Sequence, residues 1–250
     1  LEGSTDAYVE RLASYMLKAA REAKKYTSWL SPDEMYEEAL RSFVVSTMKD
    51  DRFARSLADR AAQIATHGAS NGLALVTLEA AAPGVADTYQ GGELWDLTLV
   101  DPDNREPVDY ARRRDLLRRC EGMRPRELLA AYADGRVKLH VLRAALRLRR
   151  EHPALFLDGD YAAIDAGEEI VAFSRTHAGE SLVCAVTRLP YAVTRGAAPW
   201  AVGDVWGDRI VAVPRGRFRD AFTGREHESS GALRASRLFE ELPVALLVST

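Results

Sequence analysis

The chain has 250 residues, of which 47% are hydrophobic and 28% are charged, and its formal net charge is -3. This composition is typical of a globular protein with one large or two modest domains, and it gives no general attraction to nucleic acid or anionic membranes. The two cysteines, Cys120 and Cys184, are too few for a disulfide framework or a structural zinc site, which favours a reducing cytoplasm. No apolar stretch approaches the roughly 18 residues that a membrane span needs.

The first 150 residues are predicted to be mostly helical. One helix begins near Thr5, and a second follows the stretch "SPDE" at residues 31–34. There, Ser31 is expected to cap the helix, with Pro32 at the first helical position and a glutamate completing a capping box. Further on, Gly68 is predicted to separate two helices, over residues 51–66 and 71–81.

After a Pro-Gly turn, the residues from Val85 to Tyr89 are predicted to form a short strand, followed by an irregular stretch to about residue 107. Irregular stretches of this length in a compact domain are usually functional or disordered, and the aromatic content argues against disorder. Three more helices are expected, over residues 108–119, 125–133 and 136–151.

From residue 152 the pattern changes to short apolar runs separated by turns. The clearest predicted strands cover residues 169–175, 181–188, 209–214 and 243–250. This spacing is typical of a small antiparallel β-sandwich. We therefore expect an α+β fold with a mostly helical region over residues 1–152 and a sandwich domain over residues 153–250.

The sequence contains no standard signature of a metal site, a nucleophilic enzyme or a phosphate-binding loop. The five histidines have no metal-ligand neighbours at helical or hairpin spacing, so no metal site is predicted. There is no nucleophile elbow and no phosphate-cradling glycine loop. The arginine-rich run at residues 112–119 is interpreted as a solvated helix face, with a phosphate-binding patch as the alternative.

One stretch has the composition of a binding loop: "PGVADTYQGGELWDLTLVDPDNREPVD" at residues 83–109. Tyr89 and Trp95 could stack on the apolar face of a sugar ring. The polar residues around them offer the donors and acceptors that hydroxyl recognition requires: Gln90, Glu93, Asp101, Asp103, Asn104 and Arg105. The alternative is a structural turn closed by a local Asp–Arg ion pair.

This stretch resembles the late-barrel segment of the maltooligosyltrehalose synthase family, part of the α-amylase superfamily. It departs from the family pattern at Ala86, Thr88, Gly92 and Glu106. The runs "KAAREAKKYTSWLSPDEMYEEAL" at residues 18–40 and "LRREHPALFLDGDY" at residues 148–161 also resemble the family, in the same order. The resemblance implies that the helical region is the end of a (β/α)8 barrel.

The resemblance also implies a reaction, the intramolecular conversion of the terminal α-1,4 linkage of a maltooligosaccharide into an α,α-1,1 linkage. The three carboxylates of that superfamily follow earlier barrel strands, and one of them stands in a His-Asp pair that this sequence lacks. No catalytic residue and no cofactor are therefore assigned to this chain, which is expected to be an inactive C-terminal fragment. Its implied partners are the upstream barrel part and the glucan substrate. The implied substrate-binding residues are Tyr89, Gln90, Glu93, Trp95, Asp103, Asn104 and Arg105.

Two alternatives stay open at this stage. The chain could be a non-catalytic glucan-binding or structural module, with Trp200 or Trp206 as a sugar platform, although core packing is the expected role of both. It could also belong to another α-amylase-superfamily hydrolase. Trp29 is expected to lie in the core rather than face a binding cleft.

Overall fold

The computed structural model describes residues 5–99 and 107–250. It divides into two compact units. The first contains residues 5–64, 96–99 and 107–108, and the second contains residues 65–95 and 109–250. Among the described residues, no helix combines the length and the apolar character that crossing a membrane requires.

The first unit is built on helices α1 (Thr5–Ala23) and α2 (Glu34–Lys49), which pack against each other. The predicted cap of α2 at Ser31 is wrong. The Asp33 carboxylate caps the helix instead, accepting the backbone N–H of Tyr36 at 3.0 Å. Ser31 lies in the connection before the helix, where its backbone N–H donates to the Ser28 hydroxyl oxygen at 3.0 Å.

Helix α3 (Asp51–Ala81) contributes to both units, since the division falls after Ile64. The predicted break at Gly68 is wrong, because this glycine lies inside one continuous helix of 31 residues. A glycine inside a helix costs about 1 kcal/mol relative to alanine. The buried face that follows, with Leu73 and Ala81 fully buried, outweighs that local cost through tertiary packing.

The second unit contains the other helices. The three predicted between residues 108 and 151 are confirmed as α4 (Tyr110–Arg119), α5 (Pro125–Ala130) with a following 3-10 turn (Tyr132–Asp134), and α6 (Arg136–Glu151). Shorter helices follow: α7 (Pro153–Leu157), α8 (Pro190–Thr194) and α9 (Ala235–Leu238).

The predicted antiparallel strands are also confirmed. A six-stranded sheet has the order β1-β2-β3-β8-β5-β6, and β4 pairs with β7 in a two-stranded sheet. The strands are β1 (Asp160–Ile164), β2 (Ile170–His177), β3 (Glu180–Thr187), β4 (Ile210–Ala212), β5 (Gly216–Asp220), β6 (Glu226–Ser229), β7 (Ala232–Arg234) and β8 (Val244–Ser249). The chain therefore combines helices with an antiparallel sheet, as expected for its fold class.

Both faces of the central strands are buried, in separate apolar clusters. On β3, Leu182 and Cys184 join a cluster with α3 and α6, while Val183 and Ala185 join a second cluster around Trp206. Alternate residues of a strand point to opposite faces, which explains why β3 and β8 are apolar throughout. The first cluster draws on residues from both sides of the predicted domain boundary at residue 152, and that boundary stays a prediction.

A buried carboxylate closes the turn after β5. Asp220 accepts the Phe222 N–H at 3.0 Å, the Thr223 hydroxyl at 2.7 Å and the Leu246 N–H at 3.4 Å. Burial raises the pKa of this carboxyl to about 6, and the hydrogen bonds only partly oppose the shift. Asp220 thus joins β5 to β8 at the cost of burying a charge.

Candidate functional site

The segment after α3 does not form the predicted strand. Residues 85–89 are irregular, and no described strand pairs with them. An isolated strand leaves its backbone N–H and C=O groups without partners, so it is not stable alone. The strand prediction is therefore wrong, and the segment is a loop.

Helix α4 holds the polar part of this loop. The Tyr110 hydroxyl donates to Gln90 Oε1 at 3.1 Å. Arg113 donates from Nε to Glu93 Oε2 at 2.9 Å and from Nη2 to the Gly91 carbonyl at 2.6 Å. The side chains of Arg113 and Glu93 are only 19% and 29% exposed. Two of the predicted site residues, Gln90 and Glu93, are thus fixed by groups on one helix.

Sequence reasoning missed Arg113. The sequence pattern of residues 112–119 predicts a solvated face, and the end of the run fits it: Arg118 and Arg119 are exposed and pair with Asp115. Arg113 instead turns toward the loop, where its third nitrogen, Nη1, also donates to the Asp109 carbonyl at 3.1 Å. Periodicity gave no signal that distinguishes it from the arginines on either side, because all three are charged.

Trp95 anchors the end of the loop. Its indole Nε1–H donates to the Tyr132 carbonyl at 2.5 Å, and its ring packs at the edge of the first apolar cluster. Gly72 makes this close packing possible: a Cβ there would lie 3.0 Å from Trp95 Cζ3. Lys138 Nζ donates to the neighbouring Leu94 carbonyl at 2.9 Å and lies 5.9 Å from the indole centroid. Part of the ring is therefore used for internal packing.

Tyr89 is the accessible aromatic residue of the loop, with 76% of its surface exposed. Its carbonyl accepts the Gly92 N–H at 3.1 Å, which closes a turn beside the ring. The remaining predicted contacts, Asp103, Asn104 and Arg105, lie outside the described residues, as does Asp101. The described part of the site is therefore a loop tied to the protein at Gln90, Glu93 and Trp95, with an exposed ring at Tyr89.

Of the other three tryptophans, two are buried and one is exposed. Trp200 packs edge-on against Tyr132, and Trp206 is fully buried beside Phe239, so the expected core role of both is confirmed. This removes them as sugar platforms. The expectation for Trp29 is wrong: the residue lies on the connection between α1 and α2 and is 54% exposed.

A cavity of about 660 Å³ lies in the second unit but contains none of the predicted site residues. Its charged lining comprises three arginines and three acidic residues: Arg143, Arg147, Arg219, Glu121, Glu151 and Asp220. This balance gives no preference for an anion or a cation. Within the described ranges, no group of His, Cys, Asp or Glu side chains is arranged to hold a metal ion.

No protein-family model matches the chain. A curated protein of Mycobacterium tuberculosis, named as a maltooligosyl trehalose synthase, is 38% identical over 242 residues, or 95% of this chain. The chain is similar to maltooligosyltrehalose synthases along nearly its whole length. The resemblance predicted from the loop and helix motifs is therefore confirmed.

Solved structures extend the similarity to the fold. The maltooligosyltrehalose synthase of Arthrobacter ramosus matches 97% of this chain with a TM-score of 0.80 and 39% identity. A further solved maltooligosyl trehalose synthase matches the whole chain with a TM-score of 0.79 and 28% identity. The chain spans 28% of the length of the curated relative and 30 to 31% of these two structures.

Proposed function

We propose that the chain is the C-terminal part of an enzyme that converts maltooligosaccharides into maltooligosyl trehalose. The reaction is an intramolecular transglucosylation, in which the α-1,4 linkage at the reducing end is replaced by an α,α-1,1 linkage. The observation that carries the proposal is the similarity to synthases over nearly the whole chain, at 38 to 39% identity. In this proposal the helices are the end of the catalytic barrel and the strands form a β-sandwich domain.

Exposed apolar helix faces support a place within a larger protein. On α2, Met35 and Phe43 are largely exposed. On the first half of α3, Phe53, Leu57 and Ile64 are exposed at helical spacing. Contiguous exposed apolar surface commonly marks an interaction site. We assign these faces to contacts with the part of the synthase-like protein that precedes this chain.

The loop after α3 supplies substrate contacts in this proposal. Tyr89 offers an exposed ring face to a pyranose, and the loop's polar groups offer hydrogen bonds to its hydroxyls. The proposed substrate-binding set is unchanged: Tyr89, Gln90, Glu93, Trp95, Asp103, Asn104 and Arg105. The contacts from Arg113, Tyr110 and Tyr132 support it, because a loop fixed before binding loses less conformational entropy when the ligand arrives.

The catalytic carboxylates belong to the preceding barrel part. A retaining mechanism uses one carboxylate as nucleophile and a second carboxyl group as acid and base. The reducing-end glucose must then be held in place and water kept out, because water would release glucose instead of forming the new linkage. We propose that the chain's loop contributes to this holding, and that the isolated chain has no activity.

A chimera tests the proposal. The matching segment of the Arthrobacter ramosus synthase is replaced by this chain, and maltohexaose is incubated with the chimera, with the isolated chain and with the truncated synthase. Loss of reducing ends with the chimera alone would support the proposal. Release of glucose without loss of reducing ends would favour the hydrolase alternative, and a chimera that folds but leaves the sugar unchanged would count against any catalytic role.

A further inference from the structure

The connection between α1 and α2 displays aromatic side chains to solvent. Tyr26 is 62% exposed and Trp29 is 54% exposed. The chain has four tryptophans, and the other three are buried or half-buried. The function proposed above assigns no role to this exposed pair, which belongs to the first compact unit.

The connection is held by a hydrogen-bond network. Arg21 makes a two-bond ion pair with the Glu37 carboxylate, at 2.8 and 2.6 Å. The buried Thr27 hydroxyl donates to the same carboxylate at 2.6 Å and accepts the Asp33 N–H at 3.1 Å. These bonds hold the pKa of Glu37 at about 2, so the network stays charged at neutral pH. The backbone that carries the exposed rings is therefore fixed.

The Trp29 ring itself is oriented by two polar contacts. The Arg21 guanidinium carbon lies 4.8 Å from the indole centroid, over one face. The indole Nε1–H donates to Glu22 Oε1 at 2.8 Å. Tyr26 is paired with Tyr36, at 5.3 Å between ring centroids. Fixing exposed side chains costs conformational entropy without much burial in return. Exposed aromatic side chains that are held in one orientation are typical of ligand-binding surfaces.

We propose that this connection is a second glucan-binding site, in which a glucose ring of an α-1,4-glucan stacks on the exposed part of the Trp29 ring. The choice of ligand class rests on the function proposed above. The exposed Glu22 carboxylate lies beside the indole edge and can accept a sugar hydroxyl there. Tyr26 adds exposed aromatic surface to the same connection.

The charged surroundings favour a sugar over a polypeptide at this position. Arg21, Glu22 and Lys25 all lie against the two rings. A protein partner that covered the rings would also remove Glu22 and Lys25 from water, which is costly unless the partner pairs each of them. A glucan brings hydroxyl groups that can accept from a guanidinium or ammonium and donate to a carboxylate. The aromatic faces supply the apolar contact that a pyranose ring requires.

Calorimetric titration of the 250-residue chain with maltohexaose tests the site, with cellohexaose as the comparison sugar. We expect binding of maltohexaose that Trp29→Ala weakens by about fivefold to tenfold, in line with the loss of one aromatic stacking partner. Trp29→Phe should recover part of the affinity. Phe53→Ala, which removes an exposed aromatic side chain from α3, is the matched control and should leave binding unchanged. Circular dichroism of each variant checks that it is folded.

The inference is overturned if the folded chain does not bind maltohexaose, or if Trp29→Ala binds it as tightly as the unmodified chain. If the surface instead serves a polypeptide partner, the folded chain should not bind maltohexaose. The titration needs no catalysis, so it is independent of the chimera experiment. If the chimera converts maltohexaose but Trp29→Ala does not weaken the chain's binding of maltohexaose, the site at Trp29 is rejected and the proposed function is not.

Discussion

Arg113 donates from Nε to the Glu93 carboxylate at 2.9 Å, and the same guanidinium bonds the Gly91 carbonyl 2.6 Å away. One side chain on α4 therefore fixes both the backbone of the loop that follows α3 and Glu93, one of its predicted substrate-binding residues. In the proposed synthase, Arg113 is a positioning residue, because its contacts are to the loop.

Replacing Arg113 with alanine should free this loop. We expect a loss of about 1 to 2 kcal/mol in the free energy of unfolding of the isolated chain, because a half-buried, charge-assisted hydrogen-bond set is removed. In the chimera, KM for maltohexaose should rise more than kcat falls, and Arg113→Lys should recover only part because lysine cannot bridge two acceptors in a fixed geometry. Arg112→Ala, at an exposed neighbouring position, is the control. Equal effects from both substitutions would contradict the positioning role.

Gly72 and Trp95 should be energetically coupled. Gly→Ala inside a helix normally stabilises by about 1 kcal/mol. At Gly72 the new Cβ would lie 3.0 Å from Trp95 Cζ3, and the ring cannot easily retreat because the Tyr132 carbonyl holds it. We expect Gly72→Ala to destabilise the chain but to stabilise it in a Trp95→Leu background.

Gly68→Ala is the matched control for this cycle, because nothing lies within 4 Å of a Cβ at Gly68. It should stabilise the chain in both backgrounds. Urea unfolding of the single and double variants measures the coupling directly. Additive effects would mean that Trp95 does not occupy the space beside Gly72.

Asp220 should make stability depend on pH. Its pKa is raised from an ordinary 3.8 to about 6 by burial, so between these values the folded chain binds a proton that the unfolded chain has released. Stability from this group is therefore greatest at low pH and is lost as pH rises through about 6. Asp220→Asn should remove this loss, so its stability relative to the unmodified chain should increase from pH 4.5 to pH 7.5. A difference that is constant over this range, measured by urea unfolding, would show that Asp220 does not titrate as described.

The tryptophans should divide into two classes in unfolding experiments. Trp206 is fully buried and its Nε1–H donates to the Ala201 carbonyl at 2.9 Å, so Trp206→Ala should cost about 3 to 5 kcal/mol. Trp29→Ala should change stability by less than about 1 kcal/mol, because more than half of the residue's surface is exposed. A large destabilisation by Trp29→Ala would show that the ring supports the fold.

Much of the fold was predictable because local and tertiary signals agree. The apolar runs that became β2, β3 and β8 are buried on one or both faces, so their sequence pattern reflects their structure. The pattern failed at Gly68, where packing of the second half of α3 overrides a weak local propensity. It also failed at residues 85–89, which have strand-like composition but no described partner strand.

The candidate site was predictable as a loop but not in its supporting contacts. The sequence predicts the same stacking role for Tyr89 and Trp95, yet Tyr89 is exposed and Trp95 is half-buried against Gly72. The sequence does not distinguish Arg113 from the neighbouring arginines, because which of these side chains contacts the loop depends on the path of the loop backbone. The exposure of Trp29 also depends on how the connection between α1 and α2 folds, which its sequence alone does not specify.

The chimera's product is the most direct test of the central claim, that this chain completes a trehalose-forming enzyme. Maltohexaose treated with the chimera is analysed by NMR for the anomeric protons of an α,α-1,1 linkage. We predict this signal to appear as the reducing-end signals disappear, and to be absent with the isolated chain. A folded chimera that yields only shorter reducing sugars and glucose, with no α,α-1,1 signal, would contradict the account.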